Sequence, residues 1–319
     1  MKKVLLVICF FGALFGYAFA QQADQLFTAA SNGDLARVRQ LISGGLNVDV
    51  YNSQNGWSAL MYASQKGHLE VVQYLIQRGA NVNMKDPIDG WTSVLLASRG
   101  GHTNVVKALL EKNADASAIV EEKFSSVAAF SPLIFACSNG DVEMARLLIE
   151  RGANVNYIAV NAYGNYSPIG YACDKGKIDV VRLLLGYNVD LNVMEGLPLY
   201  LAVTKGYEEL ALLLINSGAN FRIKSGWIGV FLYACGNGLI RVVETLISKG
   251  ANINERDDFG NTGIIYASAA GHLEIVKLLY RNGGDLNVRG PWSETALTKA
   301  KDNRRVDVVI WLTNNGAIE

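Results

Sequence analysis

Residues 56–83 read GWSALMYASQKGHLEVVQYLIQRGANVN, and closely similar stretches occupy residues 90–117 and 260–287. A turn glycine, Gly67, divides the first stretch into two short segments, and the second segment carries Val71, Val72 and Leu75 at helical spacing. Glycine readily adopts the left-handed conformation that ends a helix. The stretch therefore predicts two short helices joined by a turn, and neither helix can bury its apolar face alone.

The turn glycine recurs along most of the chain at intervals of 34, 34, 39, 36, 30, 32, 33 and 33 residues. The aligned positions are Gly33, Gly67, Gly101, Gly140, Gly176, Gly206, Gly238, Gly271 and, in the last copy, Arg304. Ser131-Pro132 and Ser167-Pro168 each place a hydroxyl cap before a proline at the first helical position. Stacking such hairpins would bury one continuous apolar core.

The repeated phrases G-W-S-A-L, A-S-Q-K-G-H and R-G-A-N-V-N resemble the pattern of ankyrin repeats. The resemblance covers the chain from about residue 23 to its end and implies an all-α solenoid of stacked helix-turn-helix units joined by β-turn fingers. We expect a repeat domain over residues 21–319. Its repeats would lie at approximately 23–55, 56–89, 90–130, 131–165, 166–194, 195–225, 226–259, 260–292 and 293–319.

Residues 1–20 resemble a bacterial secretory signal peptide, with Lys2 and Lys3 before an apolar run that ends in Ala18-Phe19-Ala20. The alternative is a retained membrane anchor, but the run of about 17 uncharged residues is short for a bilayer span. We therefore expect export without stable membrane insertion after cleavage, with the periplasm as the destination and an extracellular location as the alternative.

The charge balance argues against nucleic acid as a partner. Cleavage after Ala20 would remove two lysines and no acid, leaving 27 Lys and Arg beside 29 Asp and Glu. Proteins that bind nucleic acid usually carry a basic face. A protein or peptide is the expected partner, and the oligomeric state is left open.

Chemistry-bearing residues occupy repeat positions and do not converge on one site. Cys137, Cys173 and Cys235 each follow a repeat alanine, which predicts buried structural thiols with no internal disulfide. The three histidines each follow a turn glycine on different repeats, so they cannot share a metal ion. No nucleophile elbow, phosphate loop or metal-binding motif is present, so we expect no catalysis, cofactor or metal.

The resemblance implies that a partner binds on the concave side, through the fingers and the exposed ends of the first helices. Aromatic residues near the fingers are candidates for this contact, although a tryptophan there can also pack against the next finger. On the first helices, the two positions before the turn glycine are the further candidates. The finger candidates are Trp57, Trp91, Tyr163, Tyr166, Trp227, Phe259 and Trp292, and the helix candidates are Gln65, Lys66, Arg99, Asp174 and Lys175.

An extended finger around residues 117–130 adds about six residues to the period, and it contributes Glu121 and Phe124 to the candidates. Such an insertion forms either part of a binding face or a tolerated surface loop. The sequence as a whole predicts a non-catalytic protein-interaction scaffold in the periplasm. The alternatives are a secreted effector that binds host proteins and an enzyme with a site in the inserted finger.

Overall fold

The computed structural model describes residues 20–120, 129–161, 164–222, 224–225, 228–290 and 292–319. Nearly all of these residues lie in short helices or in the turns between them. The predicted leader spans residues 1–20, of which residues 1–19 lie outside the described residues. The chain divides into two compact units, Met1–Pro168 and Ile169–Glu319.

The first unit contains helices α1 to α8 and one small hairpin. Its helices are α1, whose described part covers residues 20–32, α2 (Leu35–Ser43), α3 (Ala59–Lys66), α4 (Leu69–Gln77), α5 (Ser93–Arg99), α6 (Thr103–Leu110), α7 (Pro132–Asn139) and α8 (Val142–Glu150). The hairpin joins β1 (Ala159–Asn161) and β2 (Gly164–Tyr166), which pair antiparallel with Ala159 opposite Tyr166.

The second unit repeats the same order, with α9 starting at its boundary. Its helices are α9 (Pro168–Asp174), α10 (Ile178–Leu184), α11 (Val193–Thr204), α12 (Glu208–Asn216), α13 (Val230–Gly236), α14 (Ile240–Ser248), α15 (Gly263–Ala270), α16 (Leu273–Arg281), α17 (Ala296–Asp302) and α18 (Val306–Asn314). Strands β3 (Lys224–Ser225) and β4 (Ile228–Gly229) form a second antiparallel hairpin between helix pairs.

Capping follows the sequence expectation. The Ser131 hydroxyl accepts a hydrogen bond from the backbone N–H of Ile134, and Pro132 occupies the first turn of α7. Helix α3 ends at Gly67, whose φ of 76° is left-handed. The predicted helix starts and turn glycine are confirmed at these positions.

The core lies between the stacked hairpins. First helices pack side by side, as α3 with α5 and α5 with α7, while each also packs on its own second helix. On the second helices, Val71, Val72 and Leu75 are at most 1% exposed. The apolar pattern therefore serves the stack, as the sequence predicts.

The connection between α10 and α12 departs from the regular pattern. Within α11, Met194, Glu195 and Gly196 have left-handed φ values of 51°, 55° and 77°. Two of these residues carry a side chain, for which this conformation is unfavourable. This tight turn coincides with the shortest repeat interval, so it replaces the longer finger found elsewhere.

Candidate functional site

The ends of the first helices in the first unit present a polar surface, which we call the first strip and define as Gln65, Lys66 and Arg99. Lys66 and Arg99 are the last residues of α3 and α5, and both are exposed. The His102 Nε2–H donates to the carbonyl oxygen of Gln65 at 3.0 Å. This bond ties the end of α3 to the turn after α5, so the two cations lie on neighbouring, linked helix ends.

Trp91 lies beneath the first strip and not at an exposed finger tip. It is 6% exposed, and its backbone N–H donates to the buried carboxylate of Asp86 at 2.5 Å. Its ring stacks on Phe135 with centroids 6.1 Å apart, and Phe135 stacks on Phe130 at 5.2 Å. Trp91 therefore shows the packing role that the sequence analysis keeps open as the alternative to partner contact, because its finger folds around Asp86 and turns the ring inward.

Arg99 covers the outer side of this aromatic stack. Its guanidinium carbon lies 5.1 Å from the centroid of the Trp91 ring, within the range of a cation–π interaction. Neither Arg99 nor Lys66 forms an ion pair with any residue that the structure describes. The ring therefore orients the Arg99 charge without neutralising it.

Trp57 belongs to a second aromatic cluster of the first unit. It is half-buried, and its ring centroid lies 5.3 Å from that of Tyr62, which in turn lies 5.6 Å from Phe27. The Asn55 side-chain amide donates to the Tyr62 hydroxyl at 2.8 Å. An open cavity of about 510 Å³ borders Tyr62 and Phe27 and is otherwise lined by polar side chains.

The corresponding surface of the second unit, which we call the second strip, consists of Asp174, Lys175 and Lys205. The Asp174 carboxylate lies 2.9 Å from the Lys175 ammonium and 3.4 Å from that of Lys205. Burial raises the pKa of Asp174, but the hydrogen bonds and charges of the two lysines outweigh burial and hold that pKa below its usual value. One carboxylate thus pairs with two half-exposed lysines, so it offsets one of the two positive charges of the second strip.

Tyrosines on the first helices of the second unit were missed by the sequence reasoning. The Tyr200 and Tyr233 hydroxyls lie 3.4 Å apart and share a hydrogen bond, and this bond, together with burial, raises the pKa of Tyr233 to about 12. The Tyr266 hydroxyl donates to the buried Asp257 carboxylate at 2.6 Å. Tyrosines recurring five residues before the turn glycine, at positions 62, 171, 233 and 266, were the available signal.

The remaining finger candidates occupy different environments. Phe259 is 41% exposed and Trp292 is 79% exposed, whereas Tyr166 is half-buried in β2. The Phe259 backbone N–H donates to Asp257, which anchors this finger. Four candidates, Glu121, Phe124, Tyr163 and Trp227, lie outside the described residues.

The histidines and cysteines have the structural roles that the sequence predicts. Nε2 of His68, His102 and His272 lies 2.9 to 3.0 Å from a carbonyl oxygen of the preceding repeat. Cys137, Cys173 and Cys235 are buried and form no disulfide with a described residue, and burial raises the pKa of Cys173 and Cys235. Among the described residues, no group of three potential ligands could hold a metal ion, and no helix is long and apolar enough to span a bilayer.

These features define a repeat protein of stacked helical hairpins with polar helix ends and aromatic fingers. The family model for ankyrin repeats matches residues 26–120, 80–159, 120–195, 158–225 and 231–318. The chain therefore belongs to the ankyrin-repeat family. Ankyrin repeats generally act as protein–protein interaction modules.

A solved structure supports the same assignment. The crystal structure of the human ASB11 ankyrin repeat domain is similar to this chain with a TM-score of 0.59 and 27% sequence identity. The similarity covers 72% of this chain and 99% of the ASB11 domain. No curated protein sequence matches the chain.

Proposed function

We propose that this protein is a non-catalytic scaffold of about nine repeats that binds a protein or peptide partner through its fingers and first-helix ends. The observation that carries the proposal is the distribution of side chains. Most apolar residues of the helices are buried in the stack, whereas Lys66, Arg99, Phe259 and Trp292 are exposed at the first-helix ends and fingers. Exposed aromatic and arginine side chains are common anchors at protein interfaces.

The proposal includes export to the periplasm, supported by Lys2, Lys3 and the apolar run that follows them. A secreted effector that binds host proteins would share the same leader. Fractionation separates the two locations: recovery from the periplasm alone supports the scaffold there, and recovery from the culture medium alone contradicts it.

A cross-linked pull-down from periplasmic extract tests partner binding. The wild-type protein is compared with a Phe259→Ala, Trp292→Ala variant and with an Ile310→Ala variant as a control. Ile310 is also apolar and is 55% exposed, but it lies on α18, which is the second helix of the last repeat, and not in a finger. We expect the finger variant to lose a protein that the wild type and the control retain. Equal capture by all three proteins would contradict binding through these fingers.

A further inference from the structure

We propose that Arg99 recognises a carboxylate on an acidic side chain of the protein partner, and that Lys66 receives a second carboxylate of the same segment. This inference rests on the proposed function, because it names the chemistry of the partner at that surface. The inference goes beyond the proposed function because it assigns charge selectivity to two residues of the first strip.

The first argument is orientation. A basic side chain at a helix C-terminus is favoured by the helix dipole, but the dipole does not fix where the charge points. Arg99 has an additional constraint, since its guanidinium lies 5.1 Å from the centroid of the Trp91 ring, and Trp91 is held by the Phe135 stack and by Asp86. Binding through Arg99 would therefore cost less side-chain entropy than binding through a free arginine.

The second argument is charge. The second strip also carries two exposed cations, Lys175 and Lys205, but Asp174 lies within 3.4 Å of both. In the first strip, no described residue forms an ion pair with Lys66 or Arg99. The first strip therefore keeps two positive charges without a paired carboxylate among the described residues, whereas Asp174 offsets one of the two in the second strip, and the charge of the first strip is complementary to a carboxylate.

The third argument is geometry. The planar guanidinium binds a carboxylate through two parallel hydrogen bonds, which an ammonium group cannot do. Helices α3 and α5 pack side by side, so the helix ends that carry Lys66 and Arg99 should lie roughly 8 to 10 Å apart. Three residues of an extended chain span about 10 Å. In a polyproline II segment, which has three residues per turn, acidic residues three positions apart lie on the same face and would reach both cations.

The test uses the peptide Ac-Gly-Glu-Gly-Gly-Glu-Gly-NH2 and its counterpart with glutamine in place of both glutamates. Binding to protein expressed from the full sequence is followed by NMR, through the Arg99 Nε–H and Trp91 indole N–H signals at low ionic strength. We expect saturable shifts with the acidic peptide and none with the glutamine peptide. Because one charge-assisted bond is lost, Arg99→Gln should weaken binding about tenfold.

Two further variants separate a specific contact from general attraction. Arg99→Lys keeps the charge but loses the planar fork, so we expect binding about fivefold weaker. Lys205→Gln is the matched control, because it also removes an exposed cation next to the end of a first helix, but one that already pairs with Asp174. It should change the affinity less than about twofold.

Equal binding of the acidic and glutamine peptides would overturn the inference, and so would an equal loss for Lys205→Gln and Arg99→Gln. Either result, together with capture of a partner that depends on Phe259 and Trp292, would leave the proposed function standing. Conversely, Arg99-dependent binding of the acidic peptide with no partner captured would support the carboxylate site and contradict the scaffold role.

Discussion

The two strips occupy equivalent places in their repeats but differ in how their charges are used. In the first strip, Arg99 lies over a buried tryptophan and has no acidic partner among the described residues. In the second strip, one carboxylate, that of Asp174, lies between two lysines. The second strip thus offsets one of its two positive charges with its own carboxylate, whereas the first strip leaves both without an acidic partner among the described residues.

This difference shows why the repeat pattern alone does not define a binding surface. Counting charges gives two cations in each strip, Lys66 and Arg99 in the first and Lys175 and Lys205 in the second. Whether these cations are available to a partner depends on the residues beside them, and some of these residues come from other repeats. Lys205, for example, follows α11 but pairs with the last residue of α9. Predictions that disturb these neighbours therefore test the comparison directly.

The largest expected effect follows replacement of Trp91 by alanine. The change removes a ring that is 6% exposed and stacks on Phe135, so it leaves a cavity in the first unit. We expect the free energy of unfolding to fall by about 3 to 5 kcal/mol. Urea unfolding followed by far-ultraviolet circular dichroism measures this loss.

Trp91→Phe is the matched variant, since it keeps an aromatic ring beneath Arg99. It should unfold closer to the wild type, and Arg99 should keep most of its affinity for the acidic peptide. An alanine variant as stable as the wild type would mean that the ring contributes little to packing. In that case the Trp91 ring would not be the rigid support that is proposed to orient Arg99.

The sequence predicted the parts of this molecule that depend on local chemistry. Ser131 before Pro132 and the left-handed glycine at position 67 have conformations set by neighbours in the chain, so the helix starts and turns could be inferred. The buried cysteines followed from their small-residue position in the repeat. The fold was therefore predictable from the repeat period, the helix caps and the turn glycines.

The site was less predictable, because its features depend on side-chain geometry between repeats. Trp57 and Trp91 each directly precede a helix cap. Trp57 is half-buried, whereas Trp91 is buried in a finger that folds around Asp86. The left-handed turn at Met194 and Glu195 shows only as a shortened interval in the sequence. Spacing indicates which repeat position a residue holds, but not which neighbour it will contact.

A smaller effect is expected for Tyr266→Phe in the second unit. The variant loses the hydrogen bond from the Tyr266 hydroxyl to Asp257, which is 5% exposed and also accepts bonds from the backbone N–H groups of Phe259 and Asn261. A hydrogen bond to a charged group stabilises a protein by about 1.5 to 3 kcal/mol. Because Asp257 keeps its other donors, we expect a loss of about 1 to 2 kcal/mol in urea unfolding.

Tyr280→Phe provides the control for Tyr266→Phe. Tyr280 is 42% exposed and its ring packs edge-on against Trp311, a contact that phenylalanine preserves. Its unfolding free energy should stay within about 0.5 kcal/mol of the wild type. If both variants lost the same stability, the hydrogen bond to Asp257 would not be the cause of the loss.

The smallest change in stability is expected for Asp174→Asn, which nevertheless tests the comparison most directly. Because Lys175 and Lys205 are about half exposed, solvent screens both pairs, and we expect a loss below about 1 kcal/mol at neutral pH. The folded pKa of Asp174 is lowered, so its contribution is present above the usual aspartate pKa of about 4. It disappears as the pH falls through the lowered value, and the unfolding curves of variant and wild type should converge there.

The same Asp174→Asn variant should also make the second strip resemble the first, because it removes the carboxylate that pairs with Lys175 and Lys205 and leaves two positive charges there. We expect NMR signals near Lys205 to shift with the acidic peptide in the variant and not in the wild type. Asp179→Asn is the control, since it removes a carboxylate of the same unit that forms no ion pair with a described residue. If Asp174→Asn bound the acidic peptide no better than this control, the Asp174 carboxylate would not explain the difference between the two strips. Any binding at the first strip would then depend on the orientation of Arg99 over Trp91 alone.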